Sequence, residues 1–321
     1  MEVGIDISKL KFDVVFINQT GKSKHKTFFN NEKGFADFKQ WLESLGAISA
    51  HVCMEATGRY GEELALFLSK HTIKISIVNP TRIKAFARSQ GVRVKTDKVD
   101  ADVIARFCKA HSPDIWLTPS AETQSLRDLY RCLQDLVDDK QRCQNRMEKL
   151  AHDKKSFATW TQLVEIYNEK VKDVEKQIKA LIDSSDNFQK KEELLESIAG
   201  IGFKSVAALL SELPDIHAFK NAKEVAAYAG LTPSVRQSGS SLHCKGSLSK
   251  AGNARLRKAL FMPTLVAIRY NPIIKDFYDR LLKKGKKKML AIAAAMRKLL
   301  HIIFGVLKHE LPFNAQKMTC E

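Results

Sequence analysis

Cysteine is scarce in this chain and poorly placed for chemistry. The six cysteines at 53, 108, 132, 143, 244 and 320 are scattered. No two have the C-x-x-C spacing of a zinc or redox motif, so they are expected to be reduced thiols in a cytosolic protein. No basic leader opens the chain: Met1-Glu2-Val3-Gly4-Ile5-Asp6 carries an acid early, which argues against a secretory signal. Long apolar runs are lacking too. The longest, residues 289–296, stops at Arg297-Lys298 and reads as too short to span a bilayer. No disordered tract or internal repeat stands out, and 321 residues at 44% hydrophobic content suit a globular protein of two or three domains.

Acidic residues are the other shortage. The chain has 53 lysines and arginines against 36 acids, a net charge of +17. Residues 231–321 hold 18 of those cations and only 4 acids, so most of the surplus lies in the last quarter. Such asymmetry points to a polyanionic partner, since neutralising phosphates releases counterions and drives binding. A solubilising basic face or an anionic membrane surface would carry the same charge.

Residues 1–118 alternate short apolar runs with helical periodicity. Strands are predicted at 2–6, 12–18, 24–29, 50–54 and 73–78. Short turns at 8–11 and 19–22 join the first three as a meander. Phe35, Phe38, Trp41 and Leu42 mark a first helix, Leu64, Leu66, Phe67 and Leu68 a second, and Pro80 suits the first turn of a third. The order is β-β-β-α-β-α-β-α. Residues 119–188 change character. Leu126, Leu129, Leu133, Leu136, Cys143, Met147 and Leu150 form one heptad seam, and Val164, Tyr167, Val171, Val174, Ile178 and Leu181 a second. A helical hairpin, an intermolecular coiled coil or a plain bundle fits both. Residues 189–321 read as mostly helical, broken by a Ser/Gly-rich loop at 234–249 and ending in the basic cluster Lys283, Lys284, Lys286, Lys287 and Lys288.

The chemistry is expected of the acids. Asp6 ends the first strand and Glu55 follows the fourth, so both fall at one edge of a sheet. Asp97 and Asp100 are three apart at the start of a predicted helix and share a face. Asp102 lies five residues from Asp97, rotated by about 140°, and is excluded. Converging carboxylates repel one another, and a hard divalent cation relieves the repulsion. Oxygen-only ligands suit Mg²⁺ or Mn²⁺, and two such ions clamp an in-line phosphoryl transfer. Taken singly, Asp6 also reads as a turn residue, Glu55 as a surface acid and Asp97 as a helix cap.

Three motifs carry a resemblance: Gly4-Ile5-Asp6-Ile7-Ser8-Lys9, Met54-Glu55-Ala56-Thr57-Gly58, and Lys95-Thr96-Asp97-Lys98-Val99-Asp100-Ala101. In order and spacing they resemble the acidic motifs of DEDD-type insertion-sequence transposases, a family that includes Piv-type DNA invertases and bridge-RNA-guided recombinases. The resemblance implies an α/β N-terminal domain of the RuvC-like, RNase H-like fold at 1–118. A coiled-coil or helical hairpin follows at 119–188, then a mostly α domain at 189–321. It implies that Asp6, Glu55, Asp97 and Asp100 are catalytic metal ligands. It also implies a nucleophilic serine in the back domain, where Gly230-Leu231-Thr232-Pro233, Arg236-Gln237-Ser238-Gly239-Ser240-Ser241 and Ser249-Lys250-Ala251-Gly252-Asn253 match. Position favours Ser238, with Ser240 and Ser241 close by. Composition alone reads the stretch as a flexible loop.

Further implications are target and donor DNA, a guide RNA, a homo-oligomer (dimer or tetramer) sharing its active sites, no membrane association, and a cytoplasmic, nucleoid-associated location. Ile198-Ala199-Gly200-Ile201-Gly202 looks like a helix-hairpin-helix element in which Gly200 and Gly202 approach a phosphate, or a tight helical turn with no ligand. Lys250, Arg255, Arg257, Lys258 and the lysines at 283–288 are expected to track phosphates without reading bases. Two other functions remain consistent with the residues: a structure-selective nuclease that uses water, and a non-catalytic nucleic-acid-binding protein.

Overall fold

The computed structural model describes the backbone of residues 1–56, 58–149, 154–238 and 242–316. It describes the side chains of all of these but 59, 154–155, 235–238 and 242–247. The chain divides into two compact units, Met1–Thr118 and Pro119–Glu321.

The first unit is built on a five-stranded sheet. Strands β1 (Glu2–Ile7), β2 (Lys11–Ile17) and β3 (Ser23–Phe29) form an antiparallel meander, and β4 (His51–Glu55) and β5 (Ile75–Val78) add in parallel to β1. The order across the sheet is β3-β2-β1-β4-β5. The predicted elements occur in the predicted order, with ends shifted by a residue or two. One helix carries Phe35 to Leu42 (α1, Glu32–Ser44), one follows β4 (α2, Glu62–Lys70), and one starts at Pro80 (α3, Pro80–Ser89). A fourth, α4 (Asp97–His111), completes the unit.

Alternation along the strands sorts the two faces. Val3, Ile5, Ile7, Phe12, Val14, Val52 and Met54 join one core with Phe35, Phe38 and Leu42 of α1. The rings of Phe12, Phe28, Phe35 and Phe38 lie 5.4–6.1 Å apart in this layer. The alternate residues face α4: Val15 and Ile17 pack on Ala101 and Ala105, and Cys53 packs with Ile104, Phe107 and Cys108. Gly4 is what lets α4 approach. A Cβ there would stand 2.1 Å from the Ala101 carbonyl oxygen and 2.2 Å from the Ala105 nitrogen.

Among the described residues the second unit is helical apart from one hairpin. Its long helices α5 (Ala121–Lys149) and α6 (Lys154–Asp183) pack along each other, so the two predicted seams meet within the chain over their described residues, Leu150 lying outside these. Leu126, Tyr130 and Leu133 of α5 and Val174, Ile178 and Ile182 of α6 are buried in one core with the helices that follow. Those are α7 (Asp186–Glu196), α8 (Phe203–Glu212), α9 (Ala222–Tyr228), α10 (Ala254–Tyr270), α11 (Pro272–Lys283) and α12 (Lys288–His309). Toward the far ends of α5 and α6 burial fades, and Val137, Phe157, Leu163 and Ile166 are exposed.

Two expectations need correction. The stretch at 234–249 is not simply a loop: β6 (Pro233–Ser238) and β7 (Leu242–Leu248) pair antiparallel. Ser234, Ser238 and Ser247, which suggested a loop, lie in its paired strands. The apolar run thought to end at Arg297-Lys298 continues through α12, which by length and composition alone could cross a membrane. Half of its apolar 18-residue window is buried in the protein, with Ala295, Leu299, Ile302, Ile303 and Val306 in the core, so it serves as a core helix.

Candidate active site

Asp6 is the last α4-facing residue of β1, two positions beyond Gly4. Glu55 holds the equivalent place on the neighbouring parallel strand, two beyond Cys53. Because α4 crosses Gly4, its first turn, with Asp97 and Asp100, lies over the end of β1. Thr96 caps that turn, its hydroxyl accepting the Val99 N–H at 3.2 Å. Acids in a first helical turn are favoured by the helix dipole.

Electrostatics records the convergence. The Asp6 carboxyl is pushed up to about 6 by burial and then by the charges of Asp100, Asp97, Glu55 and Asp13. Glu55 is raised by burial and by Asp100, against the opposing pull of Lys84 and Lys95. Asp100 is raised by burial and Asp97, against Lys95. Asp102 turns away and pairs with Arg106 at 2.6 Å. Among the described residues no three His, Cys, Asp or Glu side chains stand together as a ready coordination shell. The donor set itself suits a hard divalent cation: oxygen only, partly buried, and mutually repelling when ionised. Asp6, Glu55, Asp97 and Asp100 are the residues able to hold one.

Sequence reasoning passed over a second layer. Asp13 is the cross-strand partner of Asp6 and is buried. It accepts hydrogen bonds from Thr27 Oγ1 at 2.6 Å and Lys11 Nζ at 3.3 Å, and pairs with His25 Nε2 at 2.8 Å. Burial works to raise its pKa, but these partners outweigh burial and hold it below the usual carboxylate value. Lys11 also donates to Asp97 Oδ2 at 2.8 Å. The alternation of β2 places Lys11 and Asp13 on one face, a signal legible in sequence only once that face is known to be the one beneath α4.

In the second unit, Ser238 ends β6, paired with Leu242 across the hairpin, while Ser240 and Ser241 lie outside the described residues. The base of the hairpin is firmly held. Arg257 donates to the carbonyls of Ala229 at 3.0 Å and Lys250 at 3.3 Å. Asn253 caps α10 and donates from Nδ2 to Glu212 Oε2 at 3.0 Å, and Glu212 also takes Arg131 Nε at 3.0 Å. Arg257 thus serves the fold with its guanidinium, and Lys258 pairs with Asp138 at 2.8 Å. Arg255, Lys250 and the lysines at 283, 284, 286, 287 and 288 are exposed. Gly200 is turned to α10, where a Cβ would meet the Ala267 nitrogen at 2.8 Å, so packing accounts for it. Gly202, at the start of α8, has open space around it.

The first unit thus gathers acids at the ends of neighbouring strands, and the second unit is helical and rich in basic residues. Residues 3–153 match a DEDD-type transposase family of the IS110 group, and residues 192–279 match the family described as Transposase IS116/IS110/IS902. The chain is 36% identical to the pilin gene-inverting proteins of Moraxella lacunata and Moraxella bovis, over 97% of its length and 97% of theirs. It is 23% identical to the transposase for insertion sequence element IS1111A of Coxiella burnetii, over 84% of this chain and 78% of that protein. The chain belongs to the IS110-type transposase family and is an enzyme of that class.

Proposed function

We propose that this chain is a site-specific DNA recombinase that cuts and rejoins DNA strands through a serine nucleophile, Ser238. The observation that carries the reading is the gathering of Asp6, Glu55, Asp97 and Asp100 around one sheet edge, electrostatically coupled. The sheet order with β2 antiparallel to its neighbours supports a RuvC-like, RNase H-like first domain. Mg²⁺ or Mn²⁺ held by the four acids would supply Lewis-acid activation of the scissile phosphate.

The chain's own groups divide the remaining work. The Ser238 hydroxyl attacks phosphorus and gives up its proton. A P–O bond of the DNA breaks, and the freed strand end leaves as a hydroxyl. The phosphoserine ester conserves the bond for rejoining, which suits a recombinase better than hydrolysis by water. Lys250, Arg255 and the lysines at 283–288 hold phosphates in register, and Gly202 offers open backbone at the start of α8. The exposed apolar residues of α5 and α6 supply a surface for a dimer or tetramer. Target and donor DNA are the substrates, a guide RNA selects them, and the enzyme works on the nucleoid in the cytoplasm.

The test is covalent trapping. Mixed with its element DNA and Mg²⁺ and then denatured, the protein carries DNA linked to Ser238. Ser238→Ala retains DNA binding and yields no adduct. If the adduct persists in Ser238→Ala and is lost in Ser240→Ala or Ser241→Ala, the nucleophile is reassigned. If all three variants cut DNA normally, water is the nucleophile and the chain is a nuclease.

A further inference from the structure

Three large side chains are exposed around the acidic edge of the first unit: Leu10 at 74%, Phe29 at 72% and Tyr60 at 47%. Asn30 ties their segments together. Its backbone N–H donates to the Leu10 carbonyl at 2.9 Å, and its Nδ2 donates to the carbonyls of Ser8 at 3.0 Å and Tyr60 at 3.1 Å. Phe29 sits directly opposite Lys11 in the β2–β3 register, two residues beyond Thr27. Directly opposed residues project to the same face. The Phe29 ring therefore lies on the face that carries Lys11, Asp13 and Asp6, next to the lysine that holds Asp97.

Its backbone is closely packed. The first turn of α1 presses on it so closely that a Cβ at Gly34 would stand 1.9 Å from the Phe29 carbonyl oxygen. β3 is otherwise polar up to Phe28, which is buried on the opposite face, so an outward phenylalanine serves no packing role in this unit. Lys24 and Lys26 of the edge strand alternate to the opposite face with Phe28, and the cations beside the ring's segment are Lys9 and Lys11, which flank Leu10. A protein partner with an apolar face would have to desolvate those lysines. A strand of nucleic acid presents phosphates to them and a flat base to the ring.

We propose that Phe29 is a stacking platform for an unpaired DNA base next to the phosphate at the acidic cluster. This rests on the reading of the acids as the strand-cutting site. A ring on a closely packed backbone costs little ordering entropy on binding, and stacking on it is tolerant of base identity. The platform would hold the displaced strand at the cut without reading its sequence.

The test uses the full chain with Asp6→Asn, so that DNA stays uncut, and a short oligothymidine carrying one 2-aminopurine. Phe29→Ala is expected to weaken binding of this unpaired oligonucleotide about tenfold and to abolish quenching of the 2-aminopurine, with duplex affinity changed less than about twofold. Phe29→Trp restores both, and Phe29→Leu restores neither. Circular dichroism checks that each variant keeps its fold, as expected for so exposed a side chain. Unchanged oligonucleotide binding in Phe29→Ala overturns the proposal. So does full rescue by leucine, or a drop in oligomer order by light scattering as the sole effect, which assigns the surface to a second copy of the chain. The two readings fail separately: strand cutting that survives Asp6→Asn removes the acids from catalysis, whereas a silent Phe29→Ala alongside an inactive Asp6→Asn removes only the platform.

Discussion

Lys11 and Asp97 are 86 residues apart in the chain, and the Lys11 ammonium donates to the Asp97 carboxylate at 2.8 Å. The same ammonium reaches Asp13 at 3.3 Å, so one side chain joins the second strand of the sheet to the first turn of α4. It is a cation already in place among acids proposed to hold another.

If Lys11 shares the cluster with a divalent cation, removing its charge strengthens the field that the cation meets. Lys11→Met is expected to tighten Mn²⁺ binding in isothermal titration calorimetry. Weaker binding would mean instead that Lys11 acts chiefly by positioning Asp97.

Asp6 is raised above its unfolded value, so its ionisation opposes folding in the absence of metal. The sign follows from linkage: the native state holds the proton between about pH 4 and 6, and stability falls as pH rises through that window. Asp6→Asn is expected to stabilise the metal-free protein at pH 8 by about 1 kcal/mol, the full shift being discounted for a half-exposed, screened group. The gain shrinks toward pH 4. Thermal melts at both pH values measure it, and the same variant is expected to cut no DNA.

Gly4→Ala tests the approach of α4. The new methyl would sit 2.1 Å from the Ala101 carbonyl oxygen, a backbone contact that cannot move alone. The helix must shift, at a cost of about 2 kcal/mol or more. Urea denaturation is expected to show that loss. Strand cutting is expected to fall further than stability, because Asp97 and Asp100 move with the helix.

The Arg131–Glu212–Asn253 network is buried at the base of the serine hairpin. Burial works to raise Glu212, but Arg131 and Asn253 outweigh burial and hold it below its usual value. Its stabilising effect is therefore present above the unfolded carboxylate value and lost as pH falls through the native one. Arg131→Met leaves a buried charge without its partner and is expected to cost about 3 kcal/mol in chemical denaturation at pH 7. The double variant with Glu212→Gln is expected to recover part of that loss, and two additive losses would argue against direct coupling.

Much of the first unit was legible in residue order. Strand alternation and helical spacing are local properties, so β1 to β5 and α1 to α3 could be read within a residue or two. The acids could be placed at strand ends and in a first helical turn because these are local features, but what grouped them as one set was their joint placement on the strand order and the resemblance of the three motifs. The Ser/Gly stretch misled because hairpin turns and loops share a composition, and only pairing with a second strand separates them.

What the sequence determined by itself was the alternation that puts Asp6, Asp13 and Glu55 on one face and Phe12, Val14 and Met54 on the other, together with the charge surplus at residues 231–321. What only the tertiary structure decided was which helix covers that face. The packing of α4 over Gly4 brings Asp97 and Asp100 to the strand ends and turns Lys11 from a surface cation into the partner of Asp97. It leaves Phe29 outside any core. Such contacts join residues tens of positions apart, and their energy depends on distances across the folded chain that no local pattern encodes.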